Sequence, residues 1–130
     1  NREAAEQEFH RFAEAMDIDV DTSKMDEEDT KGLEQHKSKI VDAIMGGSLT
    51  INDDGEPTFT PRRSKNDTPI TFYEPTGATL MAMDRKKKSE DVGKMYAAMA
   101  NMTKTSPATF SNMAMSDLKV CTSVATLFLA

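Results

Sequence analysis

Ser48-Leu49-Thr50-Ile51-Asn52-Asp53-Asp54-Gly55-Glu56-Pro57-Thr58-Phe59-Thr60 is the one long stretch of this chain in which the apolar residues change from helical spacing to a period of two. Leu49 and Ile51 alternate with Ser48, Thr50 and Asn52, Asp53-Asp54-Gly55 turns the chain, and Thr58-Phe59-Thr60 returns. Asp-Gly between alternating runs predicts a hairpin, because glycine supplies the positive φ that such turns require. Pro57 and Pro61 predict that the returning strand is short or lies at an edge. A polar, basic loop from Arg62 to Thr68 leads to a third expected strand over 69–73, which completes a small antiparallel sheet. Three strands are the least that stand alone without a covering helix.

On the N-terminal side of the hairpin the pattern is helical. Phe9, Phe12, Ala13 and Met16 share one face of an amphipathic helix over 2–16, and Leu33, Ile40, Val41, Ile44 and Met45 mark a second. Ser23 with Asp26 is the expected capping box of that second helix, and Gly46-Gly47 its end. After Pro75 the pattern is helical again. Thr76 is expected to cap a helix carrying Leu80, Met81 and Met83, and Ser89 one carrying Val92, Met95, Tyr96, Met99 and Met102. Ser106-Pro107 opens a third, and Ser116 precedes the terminal helix. The expected fold is α+β in a single domain over 1–130. An acidic helical part fills 1–46, a small three-stranded antiparallel sheet (hairpin about 48–60 plus strand 69–73) fills 47–74, and a bundle of short helices fills 75–130.

Composition narrows the function. At 130 residues a compact chain buries roughly two thirds of its unfolded surface. Trp is absent, so the core must rest on aliphatic residues, six Phe and ten Met. The single Cys121 excludes an internal disulfide framework and a cysteine-based zinc cluster, and points to a reducing compartment. No apolar run reaches the roughly 18 residues of a membrane span. The N-terminus is no signal peptide, so a soluble, cytoplasmic protein is expected. The chain does not begin with Met, as a trimmed polypeptide would not.

Residues 1–34 carry 12 acidic and 4 basic side chains, whereas 69–130 carry 5 and 7. An acidic front half argues against nucleic acid, whose phosphates require a basic face. Arg85-Lys86-Lys87-Lys88 lacks interleaved aromatics and is read as a solvated helix end.

The residues with chemical potential have bland explanations. Asp17, Asp19, Asp21 and Glu28 stand at EF-hand spacing, but Thr22 replaces the turn glycine and Lys24 an apolar residue. A solvated connector is the favoured reading, and a calcium-responsive adaptor a weak alternative. His10 and His36 sit among charged helical residues without a triad or zinc spacing, and Cys121 reads as a buried thiol. Asp53-Asp54 and Glu90-Asp91 belong to a turn and a helix start, and Gly46-Gly47 lacks the lysine and hydroxyl of a phosphate loop. No enzyme, cofactor or resident metal is expected.

Seven of the ten methionines fall between Met81 and Met115. Met95, Met99 and Met102 follow i, i+4, i+7, which suits a core stripe or an apolar groove that repacks around a helical partner. In the last helix Leu118, Val120, Cys121, Val124, Leu127, Phe128 and Leu129 cover more of the wheel than one core-facing stripe requires. The expected client-binding or self-association surface is therefore Met95, Met99, Met102, Met113, Met115, Val124, Leu127, Phe128 and Leu129. The apolar end is expected to be buried against another chain or a longer form of the same polypeptide.

The run Ile70-Thr71-Phe72-Tyr73-Glu74-Pro75-Thr76-Gly77-Ala78-Thr79-Leu80, followed by Met99 to Pro107, Met115-Ser116-Asp117-Leu118 and Leu127-Phe128-Leu129, resembles the small tail assembly chaperones of long-tailed bacteriophages. The resemblance covers 69–130. Within the first 68 residues only the hairpin around Gly55 looks like one found in other phage proteins. The resemblance implies a non-enzymatic chaperone in the bacterial host cytoplasm that coats the tape measure protein, keeps its apolar helices in solution and recruits tail tube subunits. It also implies that a longer form is made by ribosomal frameshifting near the end of the short one. Glu74 and Asp117 would then cap turns and helices rather than touch the client. A structural virion protein of the tail or head-to-tail connector would use the same surface for permanent contacts, and is the alternative.

Overall fold

A computed structural model describes all residues, 1–130. Six α-helices and a three-stranded antiparallel sheet make up an α+β fold. Helix α1 (Arg2–Ala15) begins under the Asn1 side chain, which accepts the Ala4 N–H, and buries Ala5, Phe9, Phe12 and Ala13 on one face. A 3-10 turn (Thr22–Lys24) leads to α2 (Glu27–Met45), which buries Ile40, Val41 and Ala43 near its end. The cap of α2 is Asp26, whose carboxylate accepts the Asp29 N–H; Ser23 lies back in the 3-10 turn and forms no capping box with it. Gly46 ends the helix, and Gly47 at φ +83° turns the chain into the sheet.

The hairpin forms where the period of two predicts it. Strand β1 (Leu49–Ile51) pairs with β2 (Pro57–Phe59), and β2 with β3 (Ile70–Thr71), in the order β1-β2-β3. The returning strand is short but central, not an edge. Pro57 is tolerated there because it sits at the strand's first position; its carbonyl still accepts the Phe72 N–H at 2.8 Å. At the turn Gly55 has φ +81°, and a Cβ there would collide with the Cβ of Ala15 at the end of α1. Arg11 of α1 donates to the Ile51 and Asn52 carbonyls at 2.6 and 2.7 Å, so the same helix is bound to the end of β1.

Four short helices fill the rest: α3 (Gly77–Asp84), α4 (Asp91–Thr103), α5 (Pro107–Ser111) and α6 (Met115–Leu129). Only one of the four expected caps makes its side-chain bond. Thr76 and Thr79 form a reciprocal capping box at α3. Ser89 lies two residues before the start of α4, Ser106 precedes Pro107 without a side-chain bond, and Ser116 is already inside α6. At α6 the N-cap position is Ala114, which has no side chain to cap the helix; its own N–H is accepted by the hydroxyl of Ser64, far away in sequence, at 2.9 Å.

One hydrophobic cluster draws on α1, α2, all three strands, α4, α5 and α6. Phe9, Phe12, Phe59, Phe72 and Phe110 are its largest members. Helix α6 packs against both α2 and α4, which explains its broad apolar surface: a helix covered on several sides is apolar around most of its wheel. No helix is long and apolar enough to cross a membrane.

Candidate functional site

The structure separates the expected surface into interior and exterior. Met99, Met102, Val124 and Leu127 belong to the core, and Met95, Met113, Phe128 and Leu129 are half-buried against it. They hold this fold together and are not a free face. The terminal apolar residues are likewise covered by their own chain: the Phe128 ring meets Phe12 edge-on, with centroids 5.3 Å apart. Of the nine, only Met115 is largely exposed, at 65%.

The exposed apolar side chains lie elsewhere. Leu80, Met81 and Val92 are 63%, 62% and 63% exposed. In α3 the usual polarity is inverted. Its one buried side chain is Thr79, whose hydroxyl accepts the Thr76 N–H and donates to Asn101 Oδ1 of α4 at 2.6 Å. A polar contact thus fastens α3 to α4 while Leu80 and Met81 face outward and Met83 is half-buried against the core. Leu80, Met81, Met83, Asp84 and Lys94 line a shallow groove of about 400 Å³. Buried polar and clustered exposed apolar residues are the informative departures from ordinary burial. The spacing places Leu80, Met81 and Met83 on this helix, but so short an apolar run does not say which side faces the core.

The cations beside this groove are free of ion pairs, since the salt bridges of the chain involve only Arg2, Arg11 and their partners. Arg85 forms the end of α3, as cations at a helix C-terminus should, and Lys86 to Lys88 follow in the exposed connection to α4. Lys94 donates to the Lys88 carbonyl at 3.3 Å.

Asp117 proves to be a structural anchor. Although largely buried, its carboxylate accepts the Arg62 and Arg63 N–H groups at 3.0 and 2.9 Å and the Ser64 hydroxyl at 2.7 Å. Burial raises its pKa, but these hydrogen bonds together outweigh that and hold it below the ordinary value. Asp117 and Ser64 thereby pin the basic loop after β2 to the start of α6.

The remaining candidates find structural roles. The Asp19 carboxylate accepts the Asp21 N–H and that of Asp21 accepts the Ser23 N–H, so these side chains serve their own turn. Asp17, Asp19, Asp21 and Glu28 do not converge: no three acidic, histidine or cysteine side chains form a group that could hold a metal ion. His10 is exposed beside Phe9, and His36 is half-buried with Nδ1 3.0 Å from the Ser123 hydroxyl. Burial lowers the pKa of His36. Cys121 is buried; burial and then the charge of Asp117 push its thiol pKa far up, so it is no ready nucleophile.

No protein-family model, curated protein or solved structure matches this chain.

Proposed function

We propose that this chain is a tail assembly chaperone of a long-tailed bacteriophage, acting in the host cytoplasm. It binds the apolar helices of a tape measure protein, keeps them in solution and helps to recruit tail tube subunits. The observation that carries this reading is the inverted α3 helix, which presents Leu80 and Met81 outward beside a groove and so offers an apolar face without needing the core to open. Its position in the chain supports it. α3 begins at Gly77, the last residue of the Glu74-Pro75-Thr76-Gly77 segment, within the region that resembles these chaperones.

Methionine suits such a face, because its unbranched thioether adapts to different apolar side chains along one long client. Met81 and Met83 line the groove, and the lysines around it keep an apolar site hydrated when empty. Nothing catalytic is required. Co-expression with a tape measure protein is the test: the client should shift from the insoluble to the soluble fraction, and equal insolubility with and without this chain rejects the proposal.

A further inference from the structure

A second groove lies elsewhere on the molecule, between the acidic connector, α2 and the end of α6. Its volume is about 850 Å³, half-buried Ile18, Met25 and Leu33 give it an apolar floor, and Leu127 of the core lies at its base. Asp19, Glu28 and Asp29 line it with exposed carboxylates against a single lysine, Lys31, and none of the three is engaged in a salt bridge.

Gly32 also lines this groove, inside α2. Glycine in a helix interior costs about 1 kcal/mol relative to alanine. Gly55 has a steric reason to be glycine, but Gly32 has none within its own fold: a Cβ built there meets nothing within 4 Å. What the missing side chain does provide is a low floor. Helix axes approach to about 8 Å only where small residues stand at the crossing. From Glu28 to His36 the groove follows α2 for about 12 Å, enough for two turns of a neighbouring helix.

We infer that this groove is a docking site for a basic amphipathic helix of a partner protein, which lays its apolar face over Gly32 and sets its lysines or arginines against Asp19, Glu28 and Asp29. The charge pattern selects the occupant. An acidic helix would meet three carboxylates, and an anionic membrane or nucleic acid would be repelled by the same groups. The site differs in sign from the lysine-bordered α3 groove and stands independently of the chaperone reading.

Calorimetry of the full chain with a synthetic peptide of about 20 residues, leucines at helical spacing and lysines on the flanks, tests this directly. The peptide should bind, and more weakly as salt is raised. Gly32→Leu should weaken it at least tenfold by filling the floor, as should Glu28→Lys by reversing a flanking charge. A peptide with glutamates in place of the lysines should not bind. Gly32→Ala should raise the melting temperature, because this glycine serves no contact of its own fold. Failure of the lysine peptide to bind, equal binding of both peptides, binding unchanged in both Gly32→Leu and Glu28→Lys, or destabilisation by Gly32→Ala would each overturn the inference. No tape measure protein enters the assay, so its failure leaves the proposed function standing.

Discussion

Gly55, Asp117 and His36 show how single residues carry the fold. Gly55→Ala must place a Cβ against Ala15 and hold alanine at positive φ. Both effects oppose folding, and chemical denaturation should show a loss of about 2 kcal/mol or more. Asp117→Ala strands two backbone N–H groups and the Ser64 hydroxyl. Hydrogen bonds to a charged group contribute about 1.5–3 kcal/mol, so a loss of about 3 kcal/mol is expected in the same measurement. The folded pKa of His36 lies below its ordinary 6.5, so the unfolded chain binds its proton more readily. The contribution of His36 is therefore complete above pH 6.5 and erodes as the pH falls through that value, and His36→Gln should flatten this part of a stability-against-pH profile. The need for Gly55 was legible, because an Asp-Gly turn between alternating runs states its own φ requirement. The role of Asp117 was not: its partners Arg62, Arg63 and Ser64 lie more than fifty residues away in sequence, and only folding brings them together.

Helices and strands were legible wherever the apolar period was long, and misread where a neighbour decided the outcome. α1, α2 and the hairpin follow from their spacing. The central place of β2 does not, since two prolines nearby suggest an edge until β3 is seen to add beyond it. The same holds for burial. Met99 and Met102 could line a core or a groove on periodicity alone; packing of α4 against α5 and α6 makes them core. In α3 the short apolar run gives no direction, and the bond from Thr79 to Asn101 fixes which side faces inward. A contrast in stability follows. Leu80→Gln with Met81→Gln should change the unfolding free energy by less than about 0.5 kcal/mol for each exposed site, whereas Met99→Ala should cost about 2–5 kcal/mol. Urea denaturation of the two variants reads the difference.

The whole molecule combines one continuous core with an apolar surface that its own helices leave uncovered. The terminal helix, whose breadth of apolar residues pointed to a missing partner, is accommodated by α2, α4 and Phe12. The unmet apolar surface lies instead on α3, bordered by the lysines of the α3–α4 connection. Under the proposed function, Leu80 and Met81 are the side chains that hold the client. The direct measurement is the soluble fraction of a co-expressed tape measure protein, compared between the wild-type chain and the folded Leu80→Gln, Met81→Gln variant at equal abundance. The account predicts that the wild type brings the client into solution and the variant loses most of that effect. A variant that solubilises the client as well as the wild type would contradict it.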